Sequence, residues 1–420
     1  MINRILDLHI HSRYSRACSK DLELPKIGKA CETKGIDIVA TGDFTHPAWF
    51  PHMEESLVED TEGLYKLKDL ESPTRFILGT EVSCIYKHKE ATRRLHLVLL
   101  APSLGAVSKF NQALENRGVN IRSDGRPIMG LGAKDLLKMM LEIDPRFMMI
   151  PAHAWTPWFA VFGSKSGYDR LEDCFEELTP HIRAIETGLS SDPTMNRRLS
   201  ALDNIVLVSN SDAHSLDKLG REANVFAFNT EKEINYSKIT EIIKSGDKKN
   251  FLYTIEFYPE EGKYHYDGHR ACGISLAPKE TKKLKNVCPV CRKELTIGVL
   301  HRVDDLADRE EKDIEITKFI PHRYIIPLGE ILSSVLGVGA KSKRVVAEYS
   351  HLIKNLGSEF NILLHINPND IDKVTNYLEV GQAIKNMREG KTKIIPGFDG
   401  EFGYIEVEIN KERGKQKSLL

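Results

Sequence analysis

The chain has 420 residues, 41% of them hydrophobic and 28% charged, with a formal net charge of −1. That length exceeds what one core usually fills, ~250–300 residues, so more than one domain is expected. No run approaches the ~18 apolar residues of a membrane span, so no membrane partner is expected, and near-neutrality leaves nucleic-acid binding to local basic patches.

The first residues, MINRILDLHIH, carry an acid and histidines too early for a secretory signal, which predicts an intracellular, cytoplasmic protein. Of seven cysteines, Cys18, Cys31, Cys84 and Cys174 are scattered singly, which argues for reduced thiols and against a disulfide framework. Up to about residue 230, short apolar runs alternate with helix-compatible stretches. The predicted strands are RILDLHI, DIVATGD, RFILGTEVS, LHLVLLA, FMMIPAH, IRAIET, NIVLVSNSD and NVFAF. LPKIGKACETKG has helical spacing and Gly35 as its stop. Short buried strands separated by helices predict an α/β fold, a largely parallel sheet or barrel.

Composition changes after residue 250. YPEEGKYHYDGHRACG reads as loop, a lysine-rich run and CPVC follow, and from about 322 the helical periodicity is punctuated by glycines. Three parts are expected: an α/β domain over 1–250, a small metal-binding region over 251–321, and a mostly helical domain over 322–420 with a short tail.

Metal-ligand residue types recur at the predicted strand ends. His9 and His11 close the first strand, Asp43 the second, and Glu81, His153 and Glu186 later ones; Asp212 and His214 close NIVLVSNSDAH. In a parallel barrel these ends open onto one face. His96 begins its strand instead, but the connection from Glu81 is too short for a helical crossover. An antiparallel strand there returns His96 to the same mouth. Singly, each residue is an ordinary structural histidine or a helix cap, as Asp212 could be. Jointly, mixed imidazole and carboxylate donors suit Zn²⁺, Mn²⁺ or Fe²⁺, in numbers sufficient for more than one ion.

DLHIHSRYS, the TGD segment, GTEVS, LHLVLLAP, PAHAW and SDAH together resemble the PHP (polymerase and histidinol phosphatase) family. The resemblance covers roughly residues 1–230. It implies a distorted (β/α)7 barrel, hydrolysis of phosphate esters, and a centre of two or three divalent metals (Zn, Mn or Mg). The implied ligands are His9, His11, Glu81, His96, His153, Asp212 and His214, with Asp212 and His214 also placed in catalysis. The family usually has histidine where Asp43 stands, and many members have another near Ala17 and Cys18. Asp43 can still ligate, with the third ion held weakly or not at all. Asp192, in the loop TGLSSDP, would hang over the mouth; it could orient the nucleophile or carry a proton, or be a turn residue before Pro193.

His269-x-x-Cys272, fifteen residues, then Cys288-x-x-Cys291 is a spacing for one structural, tetrahedral Zn²⁺; His265 and His301 lie near as alternative fourth ligands. Among the basic residues there, Lys282, Lys283 and Lys285 read as DNA phosphate contacts or as a solvated face. In LSSVLGVGAKSKRVV, Lys341, Lys343 and Arg344 follow a glycine-flexed turn, and either bind phosphate or simply start a helix. WTPWFAVFG and PGFDGEFG offer aromatic rings that could stack on a base or pack internally. Gln416-x-x-Leu419 matches half of a sliding-clamp-binding box.

The barrel, knuckle and tail together are similar to a narrower group of PHP-domain DNA repair enzymes. That similarity implies DNA as partner, nicked 5′ of deaminated bases (uracil, hypoxanthine, xanthine) and of abasic sites. A small-molecule PHP phosphatase explains the barrel alone, and a DNA-binding scaffold with a degenerate centre explains the missing histidines.

Overall fold

Apolar runs of four to eight residues become strands here because both of their faces find cover, and the chain order of those strands decides where the donors meet. A computed structural model describes residues 1–409. Its strands are β1 (Ile2–Asp7), β2 (Ile38–Ala40), β3 (Leu57–Thr61), β4 (Leu64–Leu67), β5 (Arg75–His88), β6 (Ala91–Ala101), β7 (Ile128–Met129), β8 (Met148–Pro151), β9 (Ala184–Glu186), β10 (Val206–Val208), β11 (Ala223–Phe228), β12 (Phe251–Glu256), β13 (Asp267–His269), β14 (Ile274–Leu276), β15 (His322–Tyr324), β16 (Thr392–Ile395) and β17 (Tyr404–Val407).

Eleven of them form one mixed sheet. Its main path runs β15-β12-β11-β1-β2-β5-β4-β3, with β6 and β7 on β5 and β8 on β6. β1, β2 and β5 are parallel, whereas β6 runs antiparallel to both β5 and β8. The short β5–β6 connection thus forms a hairpin, and His96 sits opposite Ser83, two residues from Glu81. Helix Leu24–Lys34 buries Leu24, Ile27 and Cys31 and stops at Gly35, whose φ of 87° a residue with a side chain rarely adopts.

The expected distorted (β/α)7 barrel does not close: among the described residues the ladder stays open. β9 and β10 pair only with each other. Between β8 and β9 the bond Ala154 N–H to Glu186 O (3.0 Å) stands where a ladder would, and His11 N–H to Ala213 O (3.1 Å) joins β1's end to β10's. Side-chain amides take the places that strand neighbours would fill. Asn224 accepts from Ser209 N (3.0 Å) and donates to Ser209 O (2.7 Å), and Asn210 Oδ1 accepts from Leu8 N (2.9 Å). Three-residue strands are too short to do this with main chain alone.

β12 and β15 pair in parallel within the main sheet, so the chain returns to it on both sides of the small insert. The expected boundaries at 250/251 and 321/322 therefore fall at strands that extend this sheet. The insert holds the β13–β14 hairpin, helix Pro278–Lys283 and helix Val299–Leu306. Beyond it come helices Leu328–Leu336, Lys343–Leu356, Glu359–Leu364, Pro368–Val374 and Val380–Arg388, then the β16–β17 hairpin. No helix among the described residues is long and apolar enough to cross a membrane. Gln416 and Leu419 lie outside the described residues.

Candidate metal centre

Strand ends bring two groups of donors together, and Glu81 belongs to both. His9, His11, Glu81 and Asp212 form one; Glu81, His96 and His153 form the other, with the donor atoms of each group within 4.8 Å of one another. Glu81 Oε2 faces the first group, 3.4 Å from His11 Nε2 and 3.8 Å from His9 Nε2. Oε1 faces the second, 2.8 Å from His96 Nδ1 and 3.1 Å from His153 Nε2. Asp212 Oδ1 lies 3.0 Å from His11 Nε2 and 3.6 Å from His9 Nε2.

A tetrahedral ion with arms of ~2.0–2.2 Å needs donors roughly 3.3–3.6 Å apart; the spacings here run from 2.8 to 3.8 Å and bracket that range, so small side-chain adjustments would accommodate an ion. A second observation agrees: His9 Nε2 is buried and has no hydrogen-bond partner. A polar atom left unpaired inside a protein is costly unless something else completes it.

The atoms facing the cluster are set by bonds behind it. His9 Nδ1 donates to Glu186 at 3.1 Å, and His11 Nδ1 to Asp43 at 3.2 Å and Ser15 at 3.0 Å. His153 Nδ1 donates to Thr156 Oγ1 at 3.1 Å, whose own proton goes to Trp158 O at 2.8 Å. Each ring therefore turns Nε2 inward, the arrangement in which a carboxylate or hydroxyl fixes the tautomer of a ligating histidine. Asp43 and Glu186 are fully engaged in this support. Asp43 also accepts from Ser12 N (2.8 Å) and Ser12 Oγ (2.7 Å), and Glu186 from Asn210 (2.9 Å) and His153 N (2.8 Å). The chain crowds Asp43 closely: a Cβ on Gly125 would stand 2.3 Å from its Oδ2.

The backbone carries the same imprint. Asp43, His153 and Asp212 have φ of 45°, 28° and 47°, each costing ~1–3 kcal/mol that surrounding contacts must offset. Burial works to lower the pKa of His9 and His11, yet the carboxylates around them lift both well above the ordinary value. Burial would raise Glu81, but His96, Arg126 and the hydrogen bonds from His11 and His153 hold it well below the usual carboxylate range. Burial pushes His96 down to about 4. The site is thus a carboxylate-rich cup built for positive charge.

The other sequence-predicted residues divide. His214 Nδ1 donates to Asp212 O at 2.8 Å and its ring stacks obliquely 4.6 Å from His11, beside the two donor groups and in neither. Asp43 is also in neither. Asp192 caps a short helix, accepting from Met195 N at 2.7 Å, and its other oxygen accepts from Tyr324 at 2.7 Å. Arg126 carries no motif and escaped the sequence reading. Its guanidinium pairs with Glu81 Oε2 at 2.8 Å with the side chain 22% exposed.

A third donor group stands apart in the insert: His269, Cys272, Cys288 and Cys291, with Cys291 Sγ 3.4 Å from His269 Nδ1. Backbone N–H groups of Cys291 and Val290 aim at the Cys288 sulfur and pull its thiol down to about 6. Of the alternatives, His301 is taken by Asp267 at 2.5 Å, and His265 is buried beside Tyr266. Lys282 is tied to Asp304 (2.6 Å) and Asp305 (3.0 Å), while Lys283 and Lys285 are exposed. Lys341 is 3.9 Å from Asp217, Lys343 is exposed on the first turn of its helix, and Arg344 lies over the Tyr377 ring at 5.4 Å.

Residues 327–391 match the family described as the MJ0043 C-terminal domain. The uncharacterized protein MJ0043 of Methanocaldococcus jannaschii is 31% identical over 264 residues, which is 62% of this chain and 32% of that protein; the chain thus spans about a third of its length. Over nearly the whole chain, the structure is similar to that of the lesion-specific endonuclease PfuEndoQ from Pyrococcus furiosus. The TM-score is 0.84 and the identity 31%, over 97% of this chain and 96% of that one. It is equally similar to endonuclease Q in complex with a 27-mer duplex bearing an abasic lesion at the active site, with TM-score 0.83, identity 31% and 97% of each chain covered.

Proposed function

The chain belongs to the endonuclease Q family, and from that premise we propose that it nicks DNA at the phosphodiester 5′ of deaminated bases (uracil, hypoxanthine, xanthine) and abasic sites. The observation that carries this reading is the double use of Glu81, one oxygen toward each donor group. Divalent ions held there would supply Lewis-acid polarisation of a phosphodiester and would acidify water. His9, His11, Glu81 and Asp212 would hold one ion, and Glu81, His96 and His153 the other. The PHP kinship is part of the same reading, supported by the HxH, Glu, His and DxH motifs at successive strand ends. Zinc is our reading for the insert, supported by its Cys₃His donor set.

The chain's own groups account for the rest. Asp43 and Glu186 hold the imidazoles in place. His214, whose Nδ1–H is spent on Asp212 O, keeps its Nε2 lone pair to take a proton at the mouth. Arg126 uses one donor on Glu81 and has others to offer a phosphate oxygen, a geometry that guanidinium suits. Exposed Lys283, Lys285 and Lys343 would meet the DNA backbone, and on this reading the chain works on the cell's DNA. A damaged base is the easiest to extrude from the stack, because its pairing is already weak.

Strand cleavage tests this directly. Wild type should nick uracil, hypoxanthine and abasic duplexes with Mg²⁺ or Mn²⁺ and spare undamaged duplex, while Asp212→Ala should not nick. Hydrolysis of phosphate monoesters without any nicking would replace this reading with a small-molecule phosphatase.

A further inference from the structure

Three segments far apart in the chain deliver aromatic rings to one surface beside the metal centre. Trp158 lies in the loop after His153, Tyr264 at the start of the insert, and Phe402 between β16 and β17. Trp158 meets Tyr264 edge-on, with centroids 6.1 Å apart at 72°, and Lys263 Nζ sits over both Tyr264 (5.6 Å) and Phe402 (5.9 Å). Trp158 is 40% exposed and Phe402 78%. The Arg270 guanidinium borders the same patch: a Cβ on Gly400 would lie 3.8 Å from its Nη1 and 3.9 Å from the Tyr264 hydroxyl.

The neighbours of these rings show what packing alone requires. Trp155 is 1% exposed, with its indole N–H on Asn196 at 2.7 Å, and Phe162 packs against it. Phe398 lies against Gly268, where a Cβ would stand 2.4 Å from its ring. Trp155 and Phe162 fill the interior and Phe398 is half-buried, whereas Trp158 and Phe402 are turned out. Phe159 holds the turn in place with a φ of 62°, unfavourable for a bulky residue, and its ring rests 4.6 Å from His96. Trp158 O also accepts the Thr156 hydroxyl that orients His153. The outward ring and the inward site are thus linked through the Thr156 hydroxyl.

Resting on the DNA-nicking reading, we propose that Trp158, Tyr264 and Phe402, flanked by Lys263 and Arg270, form an open stacking platform for unpaired bases of the DNA strand being cut. Rings interleaved with cations match a strand whose bases are apolar-faced and whose backbone is anionic. Openness matters to the assignment. A base-reading pocket encloses its ligand, whereas a surface with rings this exposed accepts any base by its face. Nearby Asp399 does not oppose the strand with free oxygens: one accepts from Arg270 N at 2.6 Å, the other from Thr296 at 2.6 Å.

The test compares two single strands of equal length and charge, oligothymidine and an abasic sugar-phosphate strand, binding to the full chain without added Mg²⁺ or Mn²⁺. Trp158→Ala and Phe402→Ala should each weaken oligothymidine binding, roughly 5- to 150-fold, and leave the abasic strand's affinity unchanged. Trp158→Phe should restore most of the loss and Trp158→Leu should not, which separates stacking from bulk. Lys263→Ala should weaken both strands alike. The proposal is overturned if the aromatic variants lower both affinities together or neither. This binding readout stands apart from nicking: a wild type that binds as described but nicks no lesion defeats the proposed function and not the platform.

Discussion

The two donor assemblies are built on opposite principles. At the strand ends, Glu81, His9 and His11 are almost fully buried, and each histidine is braced by a partner that is itself hydrogen-bonded. In the insert, Cys291 is exposed, and the surroundings are short elements with little core of their own. The protein therefore makes the first site before any ion arrives, while an ion would make the second. Carboxylates and imidazoles serve chemistry because the fold holds them; thiols serve architecture because they hold the fold.

The largest effect should come from the insert. Structural zinc contributes about 10–16 kcal/mol to folding of small zinc domains. Cys288→Ser should release one bound metal per chain and expose residues of the insert to protease, with the main sheet's melting unaltered. An insert that stays protease-resistant after metal loss would erase the contrast. Next comes Glu81→Gln, which keeps the shape but removes the charge shared by both donor groups. Nicking should drop on the order of 10³-fold or more with the fold intact. Should Glu81→Gln instead unfold the sheet, the centre is as metal-dependent for structure as the insert. A smaller effect is expected behind the cluster: Asp43→Asn and Glu186→Gln should each weaken metal binding about 10- to 100-fold, read by titration with Mn²⁺. Full affinity in both variants would mean the histidines need no bracing.

How far the sequence reaches differs between these regions for physical reasons. The insert's donors are local, so their spacing is legible. In the main sheet, HxH and DxH are legible because a strand end fixes two residues at a time, and the hairpin placement of His96 follows from a loop too short to cross over. What the sequence hides is division of labour. Asp43 and Glu186 carry the same functional group as Glu81, and only the three-dimensional distances separate orienting from ligand-set carboxylates. Asp192 shows the same limit: its cap on Met195 N is local, but its bond to Tyr324 depends on a strand 132 residues away. Arg126 has no spacing signal at all. The open ladder was illegible because side-chain amides of Asn210 and Asn224 replace strand neighbours.

The last and smallest effect uses pH to ask which region limits stability. Beneath the braced cluster, Glu222 and Glu256 are buried together, with Thr187 donating to Glu256 at 3.0 Å. Burial raises Glu256 to about 8, with Asp192 adding to the rise against the hydrogen bond from Thr187 and the nearby hydroxyls of Thr254 and Ser209. Burial and the charge of Glu256 lift Glu222 well above the ordinary value. A carboxyl whose folded pKa lies above its unfolded value favours the folded state fully below the unfolded pKa, ~4.3. That contribution is lost as pH rises through about 8. Melting temperature should therefore decline from mildly acid to alkaline pH. Glu256→Gln, whose amide oxygen can still accept from Thr187, should flatten that slope and melt higher on the alkaline side. The two curves coinciding across the range would mean that the buried pair does not carry the decline.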